Sequence, residues 1–183
     1  MLKDEHATAD AVAAAFEGAR IAHVAAHGTV RADNPLFSSL LLADGPYTVY
    51  DLERLAATPH HVVLAACDSA LAHVTAGEEV LGLSATLLTQ ETAVLVAPVV
   101  AIPDAETVPL MTTYHRLLSR GRTPAVALAE AQQQHGADGV RAAAGAAGFV
   151  CLGAGDVGVG SGIAVGESRT SVASCSTTPR AYG

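Results

Sequence analysis

Two short apolar runs, each ending in a residue capable of chemistry, constrain this chain most. Ile21 to Ala26 leads into His27-Gly28, and Val62 to Ala66 leads into Cys67. Both have the length of a buried strand rather than a helix. Ala93 to Val99, rich in β-branched residues, reads as a further strand, and Phe149 to Leu152 as the last. Helical signals alternate with them. Met1 to Arg20 reads as one Ala-rich helix, with Thr8 as its cap and Ala11, Val12, Ala15 and Phe16 at helical spacing. Thr48 caps a short helix through Leu55, and Glu78 to Gln90 carries an apolar face that packs across a sheet. Pro103-Asp104, with Asp104 as a cap, opens a helix to about Ser119. Thr123-Pro124 opens another to Gln134, with proline at the first helical position. Ser39 to Leu42 and a Gly45-Pro46 turn predict a hairpin outside the main sheet. Alternating strands and helices imply an α/β fold around a mostly parallel sheet, whose strand carboxyl ends are the usual seat of chemistry.

His27 and Cys67 stand at two such ends. A free thiol titrates near ~8.5, so it needs a neighbouring imidazole or a helix amino terminus to become an effective nucleophile at neutral pH. His27 is a candidate for that partner. On the residues alone, a core thiol and a hydrogen-bonded histidine are the commoner case. Cys151, in the last strand, reads as core, and Cys175 as an incidental thiol.

The surrounding words favour the reactive reading. Ala25-Ala26-His27-Gly28 is followed by Asn34-Pro35-Leu36-Phe37-Ser38-Ser39-Leu40, then by Val63-Leu64-Ala65-Ala66-Cys67-Asp68-Ser69. Gly77-Glu78-Glu79 with Leu81-Gly82-Leu83, Pro103-Asp104-Ala105-Glu106-Thr107, Leu110-Met111, Tyr114-His115 and Ala127-Leu128-Ala129-Glu130-Ala131-Gln132 continue the series. In this order they resemble the CHAT family of caspase-like cysteine peptidases, related to separase and caspases, over about residues 6 to 153. The resemblance implies a three-layer α/β/α sandwich and peptide-bond hydrolysis by a Cys/His dyad. His27 matches the catalytic histidine and Cys67 the nucleophile. The backbone N–H groups of Gly28 and Cys67 would resemble the oxyanion hole. Asp68 is a candidate for contact with a basic substrate side chain, or for a junction carboxylate that accepts backbone hydrogen bonds.

The front of the chain departs from that pattern. The caspase-like fold normally supplies two more strands and a helix before the histidine strand, so this chain looks like the later part of a longer protein, its sheet lacking the first strands. Three regions follow: 1–20 as a helix continuing an upstream region, 21–153 as the caspase-like domain, and 154–183 as a disordered tail rich in Gly, Ser and Thr. The expected partner is a protein or peptide substrate, with an upstream helical-repeat region or a separate sensor subunit as regulator. An idle interaction module is the competing reading.

Composition narrows the remaining classes. With 183 residues, 50% hydrophobic and only 4% aromatic, the chain suits one domain with a core of Ala, Val and Leu. A formal net charge of -8 argues against nucleic acid. No run reaches the ~18 consecutive apolar residues of a membrane span. Three cysteines without framework spacing fit a reducing cytoplasm. His23, His27, His60, His61 and Cys67 crowd two strands, but neither CxxC nor HExxH spacing occurs, so no metal is expected. The glycines from Gly153 to Gly162 precede no amphipathic helix, which leaves no phosphate loop and no cofactor.

Overall fold

The computed structural model describes residues 2–29, 34–65, 78–100, 102–158 and 170–174. In chain order the elements are β1 (Leu2–Lys3), α1 (Ala9–Glu17), β2 (Ile21–Ala25), β3 (His27–Thr29), β4 (Ser39–Leu42), β5 (Gly45–Thr48), α2 (Val49–Glu53), β6 (His61–Leu64), α3 (Glu78–Thr89), β7 (Val94–Pro98), α4 (Asp104–Ser119), α5 (Pro124–Gly136), α6 (Val140–Ala147), β8 (Phe149–Gly153) and β9 (Thr170–Ser174). The main sheet runs β1-β9-β2-β6-β7-β8, and β3-β4-β5 form a small second sheet. All main-sheet pairings are parallel except β7 with β8. This is the mixed α/β architecture with a mostly parallel sheet that the sequence predicts.

The period of two along each strand explains the layers. Ala22 and Val24 on β2, Val62 and Leu64 on β6, and Leu95 and Ala97 on β7 join one core with Val12 and Phe16 of α1, Val49 and Leu52 of α2, and Leu87 of α3. Leu40, Leu42 and Tyr47 of the small sheet complete it. The alternate positions Val63, Val96 and Phe149 face the other way. They meet Leu110, Met111, Tyr114 and Leu117 of α4, Ala127, Leu128 and Ala131 of α5, and Ala146 of α6. Many of these core side chains are Ala or Val, so close approach of backbone compensates for the shortage of aromatics.

The helix starts follow local chemistry. Thr8 caps α1 by accepting from the Ala11 N–H at 3.4 Å. The Ala9 N–H donates to both carboxylate oxygens of Asp44, at 3.0 and 3.1 Å, which pins the β4–β5 turn to the first turn of α1. Thr48 and Asp51 form a capping box at α2. Pro124 opens α5 as expected, whereas Asp104 is the first residue of α4 rather than its cap, a position taken by Pro103. An acid there still favours the helix through the macrodipole. Gln132 of α5 donates to the carbonyls of Ala146 and Phe149, at 2.8 and 2.9 Å, and so ties α5 to the junction of α6 and β8.

Two expectations are corrected. The place beside the histidine strand, where the sheet is expected to lack strands, is filled, because β9 pairs with β2 from Ile21↔Thr170 to Ala25↔Ser174, and β1 pairs with β9 beyond it. Residues 170–174 therefore form a strand within the tail expected to be disordered. A strand with parallel neighbours on both sides satisfies its backbone groups through the ladder, whatever its own propensity. Met1 to Arg20 is likewise more than one helix, since β1 and a 3-10 turn at Asp4–His6 precede α1. Gly153, at the end of β8, has a positive φ of 83°. A Cβ there would collide with the Ala93 carbonyl oxygen, so glycine is required for the close approach.

Candidate active site

The register of β2 and β6 sets the geometry. Ile21 pairs with His61, Ala22 with Val62, His23 with Val63 and Val24 with Leu64. The Ala65 N–H then donates to the Val24 carbonyl at 2.8 Å, extending the pairing one step past β6. From those matched ends the two chains diverge. After buried Ala26 the first enters β3 at His27, in the antiparallel pairing His27↔Leu41, Gly28↔Leu40 and Thr29↔Ser39. His27 and Gly28 are both half-buried and lie beyond the carboxyl end of a central strand. Cys67 and Asp68 lie outside the described residues, as does Cys175. Ala65, the last described residue of that run, precedes Cys67 by two positions.

The other histidines of these strands belong to a different environment. His23 and His61 point to the α4 side of the sheet. His23 Nδ1 lies 2.8 Å from His115 Nε2 of α4, with the two rings stacked at 4.9 Å. His61 is fully buried, and its Nε2 lies 2.9 Å from the Tyr114 hydroxyl. Burial, and to a lesser extent the neighbouring His115 ring, together pull the His23 pKa down to about 4. Burial, followed by His115, His60 and His23, takes His61 down to about 3 in total. His115 is lowered by burial, and the Tyr114 hydroxyl is raised, mainly by burial. A neutral imidazole avoids the desolvation cost of its charged form, so these rings stay uncharged at neutral pH. The contact between His23 and His115 also requires one of the two facing nitrogens to lack a proton.

Sequence reasoning missed this cluster. The period of two puts His23 on the face of β2 shared with Ile21 and Ala25, which was readable, but its partner comes from a helix 92 residues away. Among the described residues no group of three or more His, Cys, Asp or Glu side chains could hold a metal ion. Cys151 is half-buried on β8 against the α4–α6 core, and burial raises its thiol pKa, as suits an inert core cysteine.

The sequence matches the CHAT domain family over residues 1–154. The chain belongs to the CHAT domain family. A search of curated proteins gave no match. The CHAT domain is related to caspase-like peptidases, and the layered sheet seen here is consistent with a caspase-like α/β fold. No described helix of this CHAT domain is long and apolar enough to cross a membrane.

Proposed function

We propose that this CHAT domain is a cysteine endopeptidase in which Cys67 is the nucleophile and His27 its acid–base partner. The observation that carries the reading is the shared register of β2 and β6. His27 follows Val24 by three positions, Cys67 follows Leu64 by three, and Val24 and Leu64 are paired neighbours. Adjacent strands lie about 4.8 Å apart, and the two residues from Ala65 to Cys67 span at most about 7 Å. Those limits are compatible with a thiol beside the imidazole and support the reading.

The chemistry then runs in two halves. The Cys67 thiolate attacks the scissile carbonyl carbon, forming a C–S bond and an oxyanion. The backbone N–H groups of Gly28 and Cys67 are the proposed donors to that oxyanion, and losing one such donor typically slows an enzyme about 10²- to 10³-fold. As the intermediate collapses, the C–N bond breaks and protonated His27 gives its proton to the leaving amine, which yields a thioester. Water, deprotonated by His27, attacks the thioester carbonyl, and the thiolate is expelled. Asp68 is the proposed contact for a basic side chain on the acyl side. No third orienting residue is assigned, in keeping with a dyad. An electroneutral reactant pair, thiol plus imidazole, and the absence of any cofactor step in this scheme leave the reaction dependent on these two side chains.

Cys67→Ala and His27→Ala should each reduce turnover of a cleaved peptide by about 10³-fold or more. Far-UV circular dichroism should stay at the wild-type level in both. Undiminished cleavage by Cys67→Ala would eliminate this site.

A further inference from the structure

The small sheet places an apolar side chain directly across from His27. Cross-strand partners in an antiparallel pair project to the same face. His27 pairs with Leu41, and Leu41 pairs in turn with Pro46 of β5, so the three residues form one row across β3, β4 and β5. Leu41 is 39% exposed, whereas Leu40 and Leu42 on either side are 2% and 3% exposed. Pro46 is exposed as well. The next position along the ladder, Leu40 with Tyr47, turns into the core. The fold therefore buries every leucine of β4 except the one beside His27.

We propose that Leu41 and Pro46 form an apolar ledge that receives the substrate side chain on the leaving-group side of the scissile bond, the P1′ residue. This inference rests on the peptidase reading. Its chemical reason is the route of the proton. His27 has to reach the nitrogen of the departing amine, and the side chain on the Cα bonded to that nitrogen belongs to P1′. A surface flanking His27 in the small sheet lies beside the group that meets the leaving amine, and is therefore assigned to that side chain. An apolar ledge selects Leu, Val, Ile or Phe there and disfavours Asp, Glu, Lys and Arg, which would lose hydration without gaining a partner. The substrate class is thus an endopeptide with an apolar P1′ residue.

The ledge is held where it is by contacts independent of the dyad. Asp44, in the β4–β5 turn, receives the Ala9 N–H of α1, and the Ala43 N–H donates to the Ala7 carbonyl at 3.0 Å. The Val49 N–H donates to the Ser38 carbonyl at 2.9 Å at the other end of the hairpin. Substitution of exposed Leu41 therefore changes the surface without removing a core side chain.

The test uses two readouts on the full chain. An electrophilic probe carrying only acyl-side residues reports whether the dyad is assembled, because it has no P1′ group. A peptide library varied at P1′ reports the ledge. Labelling of Cys67 by the probe, together with wild-type cleavage favouring apolar P1′, is expected. Leu41→Glu should lower kcat/KM for P1′ leucine about 10-fold or more and favour P1′ arginine, and Leu41→Lys should favour P1′ glutamate. Opposite preferences in the two variants cannot arise from a shared folding defect. Cleavage with a P1′ profile indifferent to both substitutions would overturn the ledge and leave the peptidase reading standing. Absence of both labelling and cleavage in the wild type would overturn the reading and the ledge together.

Discussion

His23 and His27 belong to one run of chain, yet the fold gives them opposite surroundings. His23 sits in the middle of β2, turned towards α4, against His115 and within a cluster that includes His61 and Tyr114. His27 sits past the strand's end, half-buried, in a small sheet that faces it with exposed Leu41. A histidine inside the sheet's span is surrounded on both sides by paired strands and covered by a helix, so it serves packing and stays neutral. One placed where strands stop pairing has space for a reacting partner. Residue type and spacing alone do not separate the two cases; position along the strand does.

The comparison is sharpest in its dependence on pH. The folded pKa values of His23 and His61 lie below the ordinary value of 6.5, so between the two states the unfolded chain binds more protons, and stability rises with pH across that window. Stability is therefore full above about pH 6.5 and declines as pH falls towards the folded pKa values. At about pH 5 the loss is about 2 kcal/mol for each of the two rings. Urea denaturation at about pH 7 and pH 5 should differ by roughly 4 kcal/mol if the two add, and identical midpoints at the two values would break the account of a neutral buried cluster.

A smaller effect separates the two histidines of the run. His23→Gln should remove about 2 kcal/mol of that pH dependence, read as a narrower gap between the same two denaturation curves. His27→Ala acts instead on turnover. A gap left unaltered by His23→Gln would mean that this ring is not the one held neutral by burial.

A third effect concerns the hydrogen bond on His61. Tyr114→Phe removes the hydroxyl 2.9 Å from Nε2, and Nδ1 of the same ring already lacks a hydrogen-bond partner among the described residues. The variant should lose about 1–3 kcal/mol at neutral pH, the cost of a buried polar group left unpaired. Stability equal to wild type would show that the ring reorients to another partner.

Much of this fold was legible because its strands and helices carry signals over their own length. The β-branched run at Val94–Pro98 is a strand, Thr48 caps α2, and Pro124 opens α5, each for a local reason. The hairpin of β4 and β5 lies outside the main sheet as read, but its turn is Ala43-Asp44, and Gly45-Pro46, read as the turn, are instead the first residues of β5. What escaped was non-local. The α6 helix, Val140–Ala147, is a short stretch made mostly of Ala with one Gly, which packs against α4 and α5. The β9 strand draws its conformation from two neighbours distant in sequence, not from Thr170-Ser171-Val172-Ala173-Ser174 itself. At the candidate site, His27 and Gly28 stand beyond the end of a buried strand as read from the sequence, whereas Leu41 became visible only through the register of β3 with β4. Alternation along β4 sets Leu41 on the opposite face from Leu40 and Leu42, but only the pairing with β3 places it beside a histidine.

The most direct test of the dyad is covalent. The full chain and its His27→Ala variant would be treated with a library of electrophilic peptidyl probes differing in the P1 residue, and the adducts located by mass spectrometry. Labelling confined to Cys67, dependent on His27 and selective among P1 residues, is the predicted result. Equal labelling of Cys67 and Cys175, indifferent to the loss of His27, would contradict it.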